Sequence, residues 1–280
     1  MKFVQAYAAE GIPIHAVTVQ NEPGVNKRDD VKSWWYPSCQ WSLVEDEDTW
    51  WPVSHEIMGV PERDFIRDHL GPAFRDAGIA TKIWCFDHNL NNLWYPRNIL
   101  KDEQAAQFVD GVAFHPYAGK AADMGAFHDE FPQKDVLLSE GSVYGVRGAV
   151  RIIDYLRNWA KTYNAWVTMI DTDGEPNNGP FEATRTCVTL DAKTRAVEYH
   201  FDYYMYGQFM KFVRPGAVRV ASGESTNELA HVAFRGADGA IVLVVANATK
   251  EKRECRIAWS GLAVDITLPA ESVATYRWRA

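Results

Sequence analysis

What most limits the folds open to this chain is a repeated switch between short, nearly unbroken apolar runs and amphipathic stretches. The runs are IHAVTVQ (14–20), ATKIWCFD (80–87), GVAFHPY (111–117), DVLLSE (135–140) and AWVTMI (165–170). β-Branched and aromatic residues dominate them, and they lack the strict polar alternation of a strand with one wet face, so they read as strands covered on both sides. KFVQAYAAEG, at the start, reads as the end of a helix stopped at Gly11. PERDFIRDHLGPAFRDAG carries proline in its first turn and glycine at its end, and DEQAAQFVD, MGAFHDEF and VRGAVRIIDYLRNWAKTY complete the helical stretches between strands. Strands and helices in this order predict parallel βα units.

After a last helical pattern, HFDYYMYGQFMKFV (200–213), the texture changes. VRVAS, LAHVAFRG, AIVLVVANAT, RECRIAWS, VDITL and SVATYRWR are short runs split by Gly, Asn, Ser and Pro, which predicts an antiparallel β module. GADGA at 236–240 reads as a hairpin turn. The boundary falls near Pro215, giving an α/β domain over 1–213 and a small β domain over 214–280.

Composition removes several function classes. A net charge of −8 offers no basic patch for phosphates, so a nucleic-acid partner is not expected. No apolar run has the length of a membrane span. Cys39, Cys85, Cys187 and Cys255 are far apart with no C-x-x-C pair, so buried thiols are expected and no metal site or disulfide framework. Eleven tryptophans in 280 residues suit a flat, partly apolar ligand, because indole faces pack well against C–H surfaces such as those of sugars.

The polar residues at the strand ends are more informative. Glu22 follows the first run, Asp87 ends the second, His115 and Tyr117 the third, Glu140 the fourth, and Trp166 lies on the fifth. In parallel α/β folds this carboxyl edge is where ligands bind. Glu22 and Glu140 make a natural acid pair: carboxyl groups about 5–5.5 Å apart suit retaining glycoside hydrolysis, and roughly 6.5–9.5 Å suits inversion. The plain alternatives are a loop capped by Glu22 with Asn21, a solvated Glu140, a hydrogen-bonded core role for His115, and a salt bridge from Asp87 to a neighbouring loop instead of a sugar contact.

TVQNEP, ERDFIRDHLGP, KIWCFDHN, VAFHPYAG, LLSEGS and YYMYGQFMKFVRPGAVRV, in this order, resemble glycoside hydrolase family 30, the glucosylceramidase group. The resemblance implies a (β/α)8 TIM barrel joined to a β-sandwich and hydrolysis of β-glycosides with retention. It implies Glu22, in the Asn-Glu-Pro block, as acid/base and Glu140, in SEG, as nucleophile. It further implies that Asn21 binds the sugar 2-hydroxyl, that His115 and Tyr117 frame the nucleophile, and that Trp166 forms a wall of the sugar pocket. No cofactor is implied.

Five strands can be counted where the family has eight, and Met1 falls inside a helical pattern with no N-cap signal. The expectation is therefore the last five βα units of a partial barrel followed by the β-sandwich, from a truncated chain whose export signal, if any, would lie upstream of Met1; localisation is unreadable. The expected activity is a retaining β-glycosidase acting on glucosylceramide-like or β-glucan substrates. A catalytically impaired carbohydrate-binding fragment stays open, as does one half of a split barrel that needs self-association or an N-terminal complement. Trp34, Trp35, Trp41, Trp50 and Trp51 crowd the long connection after Glu22, where one or two are expected to meet ligand and the rest to pack, with EDED (45–48) as a solvated tip.

Overall fold

The computed structural model describes residues 1–22, 60–175 and 185–279, so the tryptophan-rich connection, with the EDED tip, Pro23 and Cys39, lies outside the described residues. The described chain forms two compact units, the first made of Met1–Gly141 with Trp159–Asn164, the second of Ser142–Asn158 with the chain from Ala165 onward.

The first unit is a parallel sheet with helices between its strands. Helix α1 (Lys2–Ala9) leads to β1 (Ala16–Thr18); α2 (Pro61–Phe65) runs through a π-helical turn (Ile66–Leu70) into α3 (Gly71–Asp76) and then β2 (Lys82–Asn89). Next come α4 (Trp94–Lys101), α5 (Glu103–Ala106), β3 (Gly111–His115), α6 (Ala121–Glu130) and β4 (Asp135–Leu138), with β5 (Ala160–Tyr163) closing the order β1-β2-β3-β4-β5. Every pairing is parallel. Asp102 caps α5, its side chain accepting from the Gln104 and Ala105 N–H groups. The core between sheet and helices is built from Ile66, Phe86, Leu90, Ile99, Phe114, Met124, Phe127 and Leu138, all fully buried. Burial of β3 on both faces explains its unbroken apolar sequence.

Two strand positions differ from the sequence expectation. The fifth parallel strand is Ala160–Tyr163, and the run 165–170 instead leads into β6 (Met169–Asp171), which belongs to a separate three-stranded sheet. Helix α7 (Gly145–Arg157) therefore ends six residues short of the tyrosine where its apolar period was expected to stop. Asn158 closes it, its side-chain amide donating to the Asp154 carbonyl, and Trp159 turns the chain with a left-handed φ of 76°. The second difference is in β2, which runs past Asp87 to Asn89. A bulge there shifts its register with β3 between Phe86 and His88, and Phe86 and Asp87 take left-handed φ values of 78° and 56°.

The second unit holds α7, the sheet of β6, β7 (Val188–Leu190) and β8 (Val197–Tyr199), α8 (Phe201–Met210), and the antiparallel module. That module has a four-stranded sheet of order β14-β11-β10-β9 and a β12–β13 hairpin, over β9 (Val218–Val220), β10 (Leu229–Arg235), β11 (Ala240–Asn247), β12 (Arg253–Trp259), β13 (Leu262–Leu268) and β14 (Ser272–Arg279). The expected turn at 236–240 joins β10 to β11, with the Gly236 N–H donating to the Ala240 carbonyl. Among the described residues, no helix is long and apolar enough to cross a membrane.

Candidate active site

The site is assembled by the carboxyl edge of the parallel sheet. β1 supplies Thr18 and leads to Asn21 and Glu22; the β2 bulge supplies Asp87 and His88; β3 ends in His115, with Tyr117 two residues on; β4 leads to Ser139 and Glu140. A cavity of about 240 Å³ opens among them, with Asn21, Trp84, Asp87, His115 and Glu140 in its wall.

His115 is the hub. Its ring is buried, 1% exposed, and it bonds on both sides: Nδ1–H donates to Glu22 Oε1 at 2.8 Å and Nε2–H to Asp87 Oδ1 at 3.1 Å. Desolvation works against a charged ring, but the bonds to Asp87 and Glu22 and the nearby Glu140 outweigh it and push the imidazolium up to about 9. The same Nδ1 lies 3.9 Å from Glu140 Oε1. The Glu22 and Glu140 oxygens that face it are thus at most about 6.7 Å apart, the 2.8 and 3.9 Å legs laid end to end.

The two acids sit in different surroundings. The Glu22 side chain is 8% exposed, and the residue takes a left-handed φ of 46°. Its N–H donates to the Asp87 carbonyl at 3.1 Å, so the bulge holds this backbone. Glu140 is more open, 20% exposed, and accepts the Tyr117 hydroxyl at 2.8 Å. Burial raises the Glu140 carboxyl above its ordinary value of 4.5; His115 and the Tyr117 hydroxyl pull the other way, and Glu22 adds to the rise. Tyr117 itself is 47% exposed, and its N–H donates to Asn89 Oδ1.

Asp87 is a buried anchor. It accepts from His115, from Thr18 Oγ1 at 2.7 Å and from the Ser139 hydroxyl. Desolvation alone would raise its carboxyl, yet His115 and the two hydroxyls hold it below the ordinary carboxylate value. Its ion-pair partner is therefore a histidine on the adjacent strand, and it sits inside β2 instead of at its end. Trp166 was expected on the fifth strand. It belongs to the second unit and precedes β6, where its carbonyl accepts from Ser142 Oγ at 2.8 Å and the Tyr144 hydroxyl at 2.7 Å.

Sequence reasoning missed His88, Thr18, Ser139 and Asn164, which also lines the cavity. Burial drives the His88 imidazole down to about 4, with the Glu22 charge only partly offsetting it, so the ring is neutral at physiological pH. The signal for Thr18 and Ser139 was slight: short hydroxyl residues next to the strand-end acids are usual in any sheet. Glu22, His88 and His115 each bring one metal-binding atom within 4.8 Å of the others. A metal ion there would compete with the proton that joins His115 to Glu22.

Comparison with known proteins decides the lineage. Residues 53–213 match the glycosyl hydrolase family 30 TIM-barrel domain, and residues 216–276 match the glycosyl hydrolase family 30 beta sandwich domain. The chain belongs to glycoside hydrolase family 30. Within the family it is 30% identical to an endo-1,6-β-D-glucanase of Neurospora crassa, over 94% of this chain and 54% of that protein. It is 28% identical to the lysosomal acid glucosylceramidase of Mus musculus, over 100% of this chain and 55% of that protein. A solved endo-β-1,6-glucanase superposes with a TM-score of 0.83 at 28% identity, covering 100% of this chain and 62% of the other. This family 30 chain thus spans about half the length of the curated relatives it matches.

Proposed function

We propose that the chain carries the catalytic acids of a retaining β-glycosidase that hydrolyses β-glucosides by double displacement. The observation that carries this reading is the single His115 imidazolium between Glu22 and Glu140, which limits their facing oxygens to at most about 6.7 Å. That bound is compatible with the retaining separation. Glu140, the more exposed acid, attacks the anomeric carbon, and its bond to carbon forms as the bond to the leaving oxygen breaks. Glu22 gives its proton to that oxygen. In the second step Glu22 takes a proton from water, which displaces Glu140 and restores it as a carboxylate. Loss of the Glu140 charge in the glycosyl-enzyme favours the ionised form of Glu22 that this step needs.

Asn21, in the cavity wall, binds the sugar 2-hydroxyl. Tyr117 holds the nucleophile through its hydroxyl, and Trp166 is assigned to the sugar wall on the family resemblance alone. The names of the relatives point to β-1,6-linked glucan first and to glucosylceramide second as the substrate.

The test uses Glu140→Ala and Glu22→Ala with an aryl β-glucoside. Both lose turnover, and azide restores it: the Glu140 variant yields the glycosyl azide of inverted configuration, the Glu22 variant that of retained configuration. The opposite pairing of products would overturn the roles.

A second reading is favoured by the sheet itself. Among the described residues, β1 and β5 each pair on one side only, and unpaired edges invite further strands. In that reading the chain binds sugar but turns it over only with a complement that adds strands at these edges. Co-expression with an N-terminal barrel half would then restore hydrolysis that neither piece shows alone, and light scattering would report the pairing.

A further inference from the structure

Glu62 lies on the first turn of α2, behind the β2 bulge. Its side chain is 0% exposed, and Oε1 accepts the Phe86 N–H at 2.9 Å. Oε2 has no hydrogen-bond partner among the described residues. The groups that act on it are the Asp87 carboxylate and the Cys85 thiol on β2 and the Tyr95 hydroxyl on α4; none is a cation. Burial, helped by the Asp87 charge, keeps the Glu62 carboxyl protonated up to about 8, the Phe86 N–H and the Tyr95 hydroxyl only partly opposing this. Glu62 is therefore a neutral acid where its sequence neighbours, PERDF, suggest a solvated charge.

The bulge it touches is strained, since Phe86 and Asp87 both hold left-handed backbone. Such residues persist only where their surroundings over-determine them. From this bulge two ties run to the site. The Asp87 carbonyl accepts the Glu22 N–H, and the Asp87 carboxylate accepts His115 Nε2–H, whose other nitrogen holds the Glu22 carboxyl group.

We infer that Glu62 is a positioning residue: its buried carboxyl group clamps the Phe86–Asp87 bulge and through it sets Glu22 and His115. The inference rests on the glycosidase reading for its effect on rate, but the clamp itself is independent of it. Ionisation of Glu62 places a second negative charge behind Asp87 with no cation to meet it, so the clamp weakens at alkaline pH.

Glu62→Gln and Glu62→Ala, made in the chain as it stands, test this. Glutamine keeps an acceptor for the Phe86 N–H and cannot ionise; alanine leaves that buried N–H without a partner. With an aryl β-glucoside, Glu62→Ala loses about tenfold to a hundredfold in kcat while KM stays within about threefold. Glu62→Gln recovers most of that loss, and its alkaline limb moves to higher pH than in the wild type. The ¹⁵N resonances of His115, followed by NMR, give a readout that needs no turnover: the ring stays charged toward pH 9 in the wild type, holds its proton to still higher pH in Glu62→Gln, and loses it at lower pH in Glu62→Ala. An inert wild type with this NMR pattern would count against the glycosidase reading alone. Glu62→Ala matching the wild type in both readouts, or Glu62→Gln as impaired as Glu62→Ala, would overturn the clamp. If Glu62→Ala does not fold, an alkaline limb in Glu62→Gln unmoved from the wild type, or, in an inert chain, an identical His115 titration above pH 8, would do the same.

Discussion

In the proposed mechanism Glu140 must be ionised to attack, yet it is held in surroundings that favour its proton. Burial raises its carboxyl, and the Tyr117 hydroxyl and the His115 charge each pull it back down. Because the reactive form is the deprotonated one, activity should rise with pH along a limb lying above the ordinary carboxylate value of 4.5. Tyr117→Phe removes one of the lowering contacts, so its limb moves to still higher pH; kcat/KM measured from pH 3 to 8 checks this. A limb that moved to lower pH would show that the hydroxyl does not stabilise the ionised nucleophile. The two acids were legible because each follows an apolar run with no polar turn to excuse it, and family blocks surround both. Glu62 was not legible. A glutamate in the first turn of a helix satisfies the helix dipole equally well in water, so nothing local marks it as buried.

At the scale of the element, the bulge in β2 governs the site. Without the register shift between Phe86 and His88, alternate side chains of β2 would point to opposite faces without interruption. The extra residue lets Asp87 reach His115 while His88 approaches Glu22, 3.4 Å away. A bulge has no reliable mark in sequence when no glycine carries it, and here Phe and Asp take the left-handed positions. The misplaced fifth strand has a different cause. Ala160–Tyr163 continues the apolar period of α7, and only the cap at Asn158 and the turn at Trp159 separate the two. Close strand packing makes its own prediction. A Cβ on Gly111, at the start of β3, would stand 2.8 Å from the Asp135 carbonyl oxygen on β4. Gly111→Ala should therefore cost about 1–3 kcal/mol, read as a lower urea midpoint with an unchanged slope. An unshifted midpoint would mean that β3 and β4 are not packed at this spacing.

For the whole molecule, the alternation of strands and helices through β4 and the antiparallel texture of the last module were legible from period alone, whereas β5 and the β6–β8 sheet were not. The legible part accounts for four strands of the parallel sheet and for the β10–β11–β14 core of the last module. What period could not supply was proximity: Glu22 and Glu140 meet at one imidazole only because β1, β2, β3 and β4 lie side by side in that order. The proposed chemistry depends on that meeting, and a covalent trap reads it directly. The chain would be incubated with 2-deoxy-2-fluoro-β-glucosyl fluoride, digested, and mapped by mass spectrometry. The account predicts one fluoroglucosyl group per chain, on the peptide carrying Glu140, and none in Glu140→Gln. A label on Glu22 or any other residue, or turnover of an aryl β-glucoside that releases the α-anomer first, would contradict it.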